Sequence, residues 1–306
     1  MVYMFLKIST LILFNIVYIC NLNLYAVCKT NFRMSKFELI VFLSKIKNFF
    51  ETLIGLKILL KKKYPFTTRS IPQYRYISIV NFLFPKGPLT LLEVGAHRGD
   101  LIEYFLEKLK NKNIQIHGIE PNDECFDFIS NKFSNDIRVK LHKFGLANFK
   151  GESMLYVTKS DNLSSILKPN ENYRAEKGSL YEKNRILEVK KELPIKVLKG
   201  DNFVIENNLP SIEVLSLNTQ GTEIDILLGF EETLKKIKIK SIIIEVDLAN
   251  RYLGGYGLYE VEKIMKEYDF ELFDINLIKN ILPVGIRMLD MFYVHKSIMP
   301  SRERLN

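Results

Sequence analysis

Several short segments carry residues able to do chemistry, and each follows an apolar run. The first is Leu91-Leu92-Glu93-Val94-Gly95-Ala96-His97-Arg98-Gly99-Asp100. It reads as a strand, a glycine turn and a helix starting near Asp100. Gly95 lets the chain turn sharply at the carboxyl end of the strand. Gly99 allows close backbone approach to a ligand, and ligands of open α/β sheets sit at that end of the strands. The Gly-x-x-x-Gly spacing is equally that of a plain strand–helix turn. It is not the dinucleotide fingerprint Gly-x-Gly-x-x-Gly, which counts against a nicotinamide-dependent oxidoreductase. In the second segment, Gln115–Ile119 runs into Glu120-Pro121-Asn122. An acid at the end of a second strand accepts hydrogen bonds from the ribose hydroxyls of a nucleotide. The alternative for Glu120 is a cap on the helix after Pro121. Taken together, the two segments point to nucleoside binding.

The third segment, Phe144-Gly145-Leu146-Ala147-Asn148 with Gly151, places a polar side chain where an adenine amino group would lie, or is an ordinary loop. The fourth runs from Glu213 through Ser216, Asn218, Thr219, Gln220 and Gly221 to Glu223. It is again a strand, a polar turn and a helix. Glu223 in the first helical turn is best read as stabilising the helix dipole. A fifth run, Ile242-Ile243-Ile244, ends in Glu245.

These segments need a scaffold that brings strand ends together. From Leu89 onward, strands expected at Thr90–Val94, Gln115–Ile119, Arg138–Phe144, Glu213–Leu217 and Ser241–Val246 are nearly continuous in apolar residues. Helical patterns lie between several of them, at Asp100–Leu109, Glu124–Phe133, Glu223–Leu228 and Leu258–Tyr268. Such alternation predicts a mostly parallel, doubly wound α/β sheet covered on both faces. Glu271–Ile275 and Asp290–His295, with a turn near Pro283-Val284-Gly285, predict a last strand that returns antiparallel. That makes a seven-stranded sheet. Residues 152–212 read as a long insert, either a lid or a surface excursion. Its Tyr156, Tyr173, Arg174, Tyr181 and Arg185 suit a sugar or an anionic acceptor. Gly254–Gly257 reads as a mobile acceptor loop.

In order and spacing, these motifs resemble the FkbM-like family of class I methyltransferases, which have a Rossmann-like fold. The matching residues are Glu93–Gly99, Glu120-Pro121-Asn122, Ser164-Ser165, Ser216–Glu223 and Glu245, within roughly residues 89–297. The resemblance implies an S-adenosylmethionine-dependent O-methyltransferase acting on a hydroxyl of a sugar, glycan or related small molecule. It implies cofactor contacts from Glu93, Gly95, Ala96, His97, Gly99, Glu120, Ala147, Asn148 and Asn218. It also implies catalytic roles for His97, Glu245 and Asn218. The enzyme must align the acceptor oxygen with the methyl group and take up its proton. His97 and Glu245 are the first choices for that base, ahead of Glu223, Asp247 and His142, because both belong at the carboxyl edge of the sheet. His97 has the alternative of lining the cofactor's methionine end. Ser216 and Asn218 stand where the family has Lys and Asp. Asn218 keeps hydrogen bonding but loses charge, so a non-catalytic cofactor-binding protein of the same fold is the alternative.

Composition bounds the rest. The 306 residues are 47% hydrophobic and 26% charged, ordinary for a globular protein. Three cysteines without a Cys/His cluster give no zinc spacing, so no metal is expected, and they fit a reducing compartment. The net charge of +9 is uneven: residues 1–85 hold 12 Lys and Arg against two acids, while the remainder holds 32 against 33. The basic arm suits an anionic membrane surface or nucleic acid. The main domain lacks a basic-aromatic stripe, so no nucleic-acid substrate is expected.

Three regions follow: an apolar segment over 1–33, a basic helical cap and connector over 34–88, and a methyltransferase domain over 89–306. The uncharged run 8–28 approaches bilayer-spanning length. It reads as an anchor, as a leader without an A-x-A-like site, or as sequence upstream of a start at Met34. If it spans, the basic residues that follow it place the main domain in the cytoplasm. Residues 35–63 read as one or two basic amphipathic helices, capping the domain or lying on a membrane. A short helix is expected near Ile77–Phe84.

Overall fold

A computed structural model describes residues 76–109, 113–173, 186–281 and 285–299. The chain divides into two compact units, Met1–Arg69 and Ser70–Asn306. The expectations for 1–33, for 35–63 and for Arg174, Tyr181, Arg185, Pro283 and Val284 lie outside the described residues. Among the described residues, no helix is long and apolar enough to cross a membrane.

Seven strands form the main sheet: β1 (Leu89–Val94), β2 (Ile114–Ile119), β3 (Val139–His142), β7 (Val214–Leu217), β8 (Ser241–Asp247), β9 (Phe270–Ile281) and β10 (Gly285–His295). Their spatial order is β3-β2-β1-β7-β8-β10-β9. The pairings from β3 through β8 are parallel, and β10 runs antiparallel to both neighbours. This is the mostly parallel, doubly wound sheet that the sequence predicts. The order reverses between β1 and β7, the place where such sheets bind ligands.

Both faces are covered, which is why the central strands are apolar on both sides; every residue of β7 is buried. One face packs under α1 (Ile77–Leu83) and α2 (Asp100–Lys108) through Val80, Leu101, Ile102 and Phe105. The other packs under α4 (Gly200–Glu206), α5 (Glu223–Gly229), α6 (Glu231–Lys235) and α7 (Leu258–Glu267), with Phe203, Leu227, Phe230 and Val261 at its centre. Helix α3 (Asp123–Lys132) follows β2, capped by the side chain of Asn122. The expected helix near Ile77–Phe84 is α1. Tyr76, which precedes it, is wholly buried and donates a 2.7 Å hydrogen bond to the backbone oxygen of Asp290.

The long insert folds in a way the sequence reading does not foresee. β5 (Gly151–Thr158) and β6 (Val189–Lys199) pair antiparallel, and β4 (Gly145–Ala147) joins β6 in parallel, giving a second, three-stranded sheet. The run Arg138–Phe144 therefore ends early, at His142, and the chain crosses to this second sheet. β9 and β10 also extend well beyond Glu271–Ile275 and Asp290–His295, because pairing with one another satisfies the backbone of residues with low strand propensity such as Asn276 and Asn280.

Candidate active site

A cavity of about 500 Å³ opens at the carboxyl edge of the sheet, over the order reversal. Its floor is the turn after β1. Gly95 and Ala96 donate to the backbone oxygen of Ile119, both at 3.0 Å, tying this turn to the end of β2. Gly95 has φ +85°, and a Cβ there would lie 2.1 Å from the backbone oxygen of Asn218. Only glycine lets the ends of β1 and β7 approach so closely. Gly99, at φ +72°, answers a different need from the expected one. A Cβ on it would sit 2.5 Å from the Phe133 ring, so Gly99 serves helix packing, and it is not among the cavity walls.

Glu120 lines the cavity and is buried. Its Oε2 accepts from the backbone N–H of His97 at 2.7 Å and its Oε1 from that of Asn122 at 2.8 Å. The helix cap is Asn122, whose side chain accepts from the N–H of Glu124, and Glu120 in turn holds the N–H of that cap residue. Burial raises the Glu120 carboxyl above its usual range against the pull of those two N–H groups. Each oxygen keeps a lone pair free for a further donor. Glu93 also lines the cavity, with Oε2 buried and lacking a hydrogen-bond partner. Burial, then the nearby Glu120, pushes its carboxyl far up.

His97 sits in the left-handed region at φ +47°, strain of the kind that collects at functional sites. Its Nε2 lies 3.0 Å from Oδ1 of Asp161, and Arg98 donates to Oδ2 of the same carboxylate at 2.8 Å. Burial pushes Asp161 upward, but the bonds from Arg98 and His97 prevail and hold it below the usual range. Asp161 belongs to the insert, so this contact brings the loop Asp161–Ile166 over the cavity. Cys125 lies beside it, its thiol pushed up to about 12 by burial and then by Glu120 and Asp161. The ligand atoms of His97, Cys125 and Asp161 all fall within 4.8 Å of one another, and Arg98 supplies the positive charge on that carboxylate. The other end of the loop is fixed by Ser165, buried, which donates to the backbone oxygen of Gln220 at 2.9 Å. Ser164 turns back onto the Asp161 backbone at 2.7 Å.

Opposite lies the turn after β7. Gln220, at φ +59°, donates from Nε2 to Oδ1 of Asn218 at 2.7 Å and to Oε1 of Glu245 at 2.9 Å. Burial raises the Glu245 carboxyl to about 7, with Arg251 pulling down and Glu223 pushing up. Glu223 itself accepts from the backbone N–H groups of Thr219 and Gly221, at 2.9 and 3.0 Å, and so shapes this turn.

The structure thus brings Glu93, Gly95, Ala96, His97, Glu120, Asn218 and Glu245 to one cavity. Ala147 and Asn148 do not line it. Ala147 is buried against α5, where a Cβ on Gly229 would meet its backbone oxygen at 2.2 Å, and Asn148 is exposed and donates to Asp225 at 3.1 Å. Two further base candidates are also engaged elsewhere. His142 stacks on His117, and Asp247 accepts from the backbone of Ala249 and Arg251. Asp161 and Gln220 are cavity-lining side chains that sequence reading does not single out. Their roles arise from partners more than 20 residues away, although both sit in polar turns beside motifs that the sequence does mark.

The sequence model of the methyltransferase FkbM domain matches residues 93–272, more than half of the chain. The chain belongs to this family. The FkbM domain begins at Glu93, on the cavity floor, and takes in every wall described above as far as Glu245. A search of curated proteins finds no match. Solved structures with a similar fold include methyltransferase FkbM from Methylobacillus flagellatus KT, at 13% identity, 71% of this chain and a TM-score of 0.44. The chain spans 47% of that protein. Another is a SAM-dependent methyltransferase from Aquifex aeolicus, at 12% identity, 71% of this chain, 87% of that one and a TM-score of 0.36. A third is a putative S-adenosylmethionine-dependent methyltransferase from Listeria monocytogenes, at 9% identity, 72% of this chain, 97% of that one and a TM-score of 0.39.

Proposed function

We propose that this FkbM domain binds S-adenosylmethionine and methylates a hydroxyl of a sugar, glycan or related small molecule. The observation that carries the reading is the buried Glu120 at the end of β2, facing a cavity at the strand-order reversal of a methyltransferase-family sheet. Glu120 would hold the ribose hydroxyls, Gly95 and Ala96 would give the cofactor backbone to lie on, and Glu93, with its unpartnered oxygen, would take a donor from the amino-acid end. When bound, the cofactor supplies an electrophilic methyl group.

The protein's own task is orientation and proton uptake. Glu245 suits proton uptake because it lines the cavity, is fixed by Gln220 and titrates near neutrality. His97 suits closure of the insert over the cavity, since Asp161 already holds its Nε2. Asn218 supports Gln220 rather than supplying charge. The lining acids Glu120 and Glu245, with Asp161 already bound by Arg98, favour a neutral acceptor over an anion.

Calorimetric titration of the full chain with S-adenosylhomocysteine tests the cofactor. Micromolar binding is expected, weakened at least about tenfold by Glu120→Ala, the cost of one charge-assisted hydrogen bond. Gly95→Val should abolish it. Absence of binding by folded wild-type protein would defeat the reading. Binding without transfer of labelled methyl to any glycan in a panel would favour a non-catalytic binding protein.

A further inference from the structure

Glu245 and Asp290 stand directly opposite each other where β8 pairs with β10. Residues opposite one another in an antiparallel pair point to the same face, with Cβ atoms about 5 Å apart. Glu245 lines the cavity. Asp290 is not among the cavity walls; it is wholly buried, and neither carboxylate oxygen has a hydrogen-bond partner. Tyr76 binds the Asp290 backbone oxygen, not the side chain. A buried carboxylate without donors or a cation is not sustainable; such a group takes a proton instead.

The charged groups around the pair sit on the Glu245 side. Arg251 favours the Glu245 anion, Gln220 donates to it, and Glu223 and Asp247 oppose it. For Asp290, burial and then the charge of Glu245 act upward only. The two acids therefore differ in kind. One is supported as an anion and faces the cavity; the other has no support for its charge and lies behind.

We propose that Glu245 and Asp290 share one proton, with Asp290 the neutral proton-holding partner and Glu245 the lone anion presented to the acceptor. This rests on the reading of the cavity as a methyl-transfer site. In that reaction the acceptor oxygen forms a bond to the methyl carbon, the sulfur–carbon bond breaks, and the acceptor's proton passes to Glu245. Asp290 is a positioning residue: an O–H on it turned to one oxygen of Glu245 would leave the other oxygen to receive the incoming proton.

The test is a carbon-13 NMR titration of labelled Asp and Glu carboxyls in the full chain, without ligand. In wild type, Asp290 stays protonated across the range in which Glu245 ionises. Glu245→Gln should lower the Asp290 midpoint by about one unit or more, the threshold that marks coupled sites. Asp290→Asn, which keeps a donor, should leave the Glu245 midpoint in place. Asp290→Leu, which fills the space without a donor, should raise it by a similar amount. An ionised Asp290 at neutral pH, or a Glu245 midpoint indifferent to Asp290→Leu, overturns the proposal. Because no ligand is present, the outcome is independent of whether S-adenosylhomocysteine binds.

Discussion

At the residue scale, the cavity is governed by side chains that follow strand ends, and the strand ends are what the sequence displays. Glu93, Gly95, His97, Glu120, Asn218 and Glu245 each sit at or just past an apolar run, so a parallel sheet delivers them to one edge. Gln220 is invisible by that logic. Its importance comes from a left-handed backbone that aims its amide at both Asn218 and Glu245. Replacing it separates two effects. Gln220→Gly relieves the left-handed conformation, which costs a non-glycine residue about 1 kcal/mol, yet removes a buried side chain that bonds Asn218, Glu245 and Tyr252, and with it the hydrogen bond that favours the Glu245 anion. The expected result is a folded protein of lower melting temperature, since the lost buried hydrogen bonds outweigh the relieved strain, whose Glu245 carboxyl titrates at higher pH. Carbon-13 titration beside thermal unfolding reads both. A Glu245 midpoint that stays put in the folded variant would show that the amide does not support its charge.

At the element scale, the main sheet was legible and the second sheet was not. Buried parallel strands are apolar on both faces and announce themselves. β6 has a run of exposed charges, and only Ile195 and Val197 alternate inward, so its strand character depends on β5 beside it. The β2–β3 pair hides another feature that spacing does not reveal. His117 and His142 stack with Nδ1 of one 3.1 Å from Nε2 of the other, packed edge-on against Phe203. Burial, and for His117 then the neighbouring His142, lowers both to about 4. An unfolded histidine titrates near 6.5. Between those values the unfolded chain binds more protons than the folded one, so stability is full above about 6.5 and is lost as pH falls toward 4. Urea unfolding at pH 7.5, 5.5 and 4.5 should show this decline, and a His117→Phe, His142→Phe double variant should flatten it. An equally steep decline in the double variant would place the acid sensitivity in other groups.

At the scale of the whole molecule, charge and chemistry are segregated. Residues 1–85 carry all of the net positive charge, while the remainder, which holds the cavity, has 32 basic against 33 acidic residues. We propose that attraction to an anionic membrane surface belongs to the arm, and acceptor choice to the cavity. Each basic residue near such a surface contributes about 1 kcal/mol at most, screened by salt. Co-sedimentation of the full chain with vesicles should thus be stronger for phosphatidylserine-containing than for neutral vesicles and should fall as salt rises. Replacing Lys61, Lys62 and Lys63 by Gln should weaken it by up to roughly a hundredfold. Calorimetry with S-adenosylhomocysteine should be unmoved in that variant, because the cavity walls lie between Glu93 and Met288. Equal binding to neutral and anionic vesicles would instead assign membrane contact to the uncharged run 8–28, and no binding to either would leave the arm's charge to a soluble anionic partner.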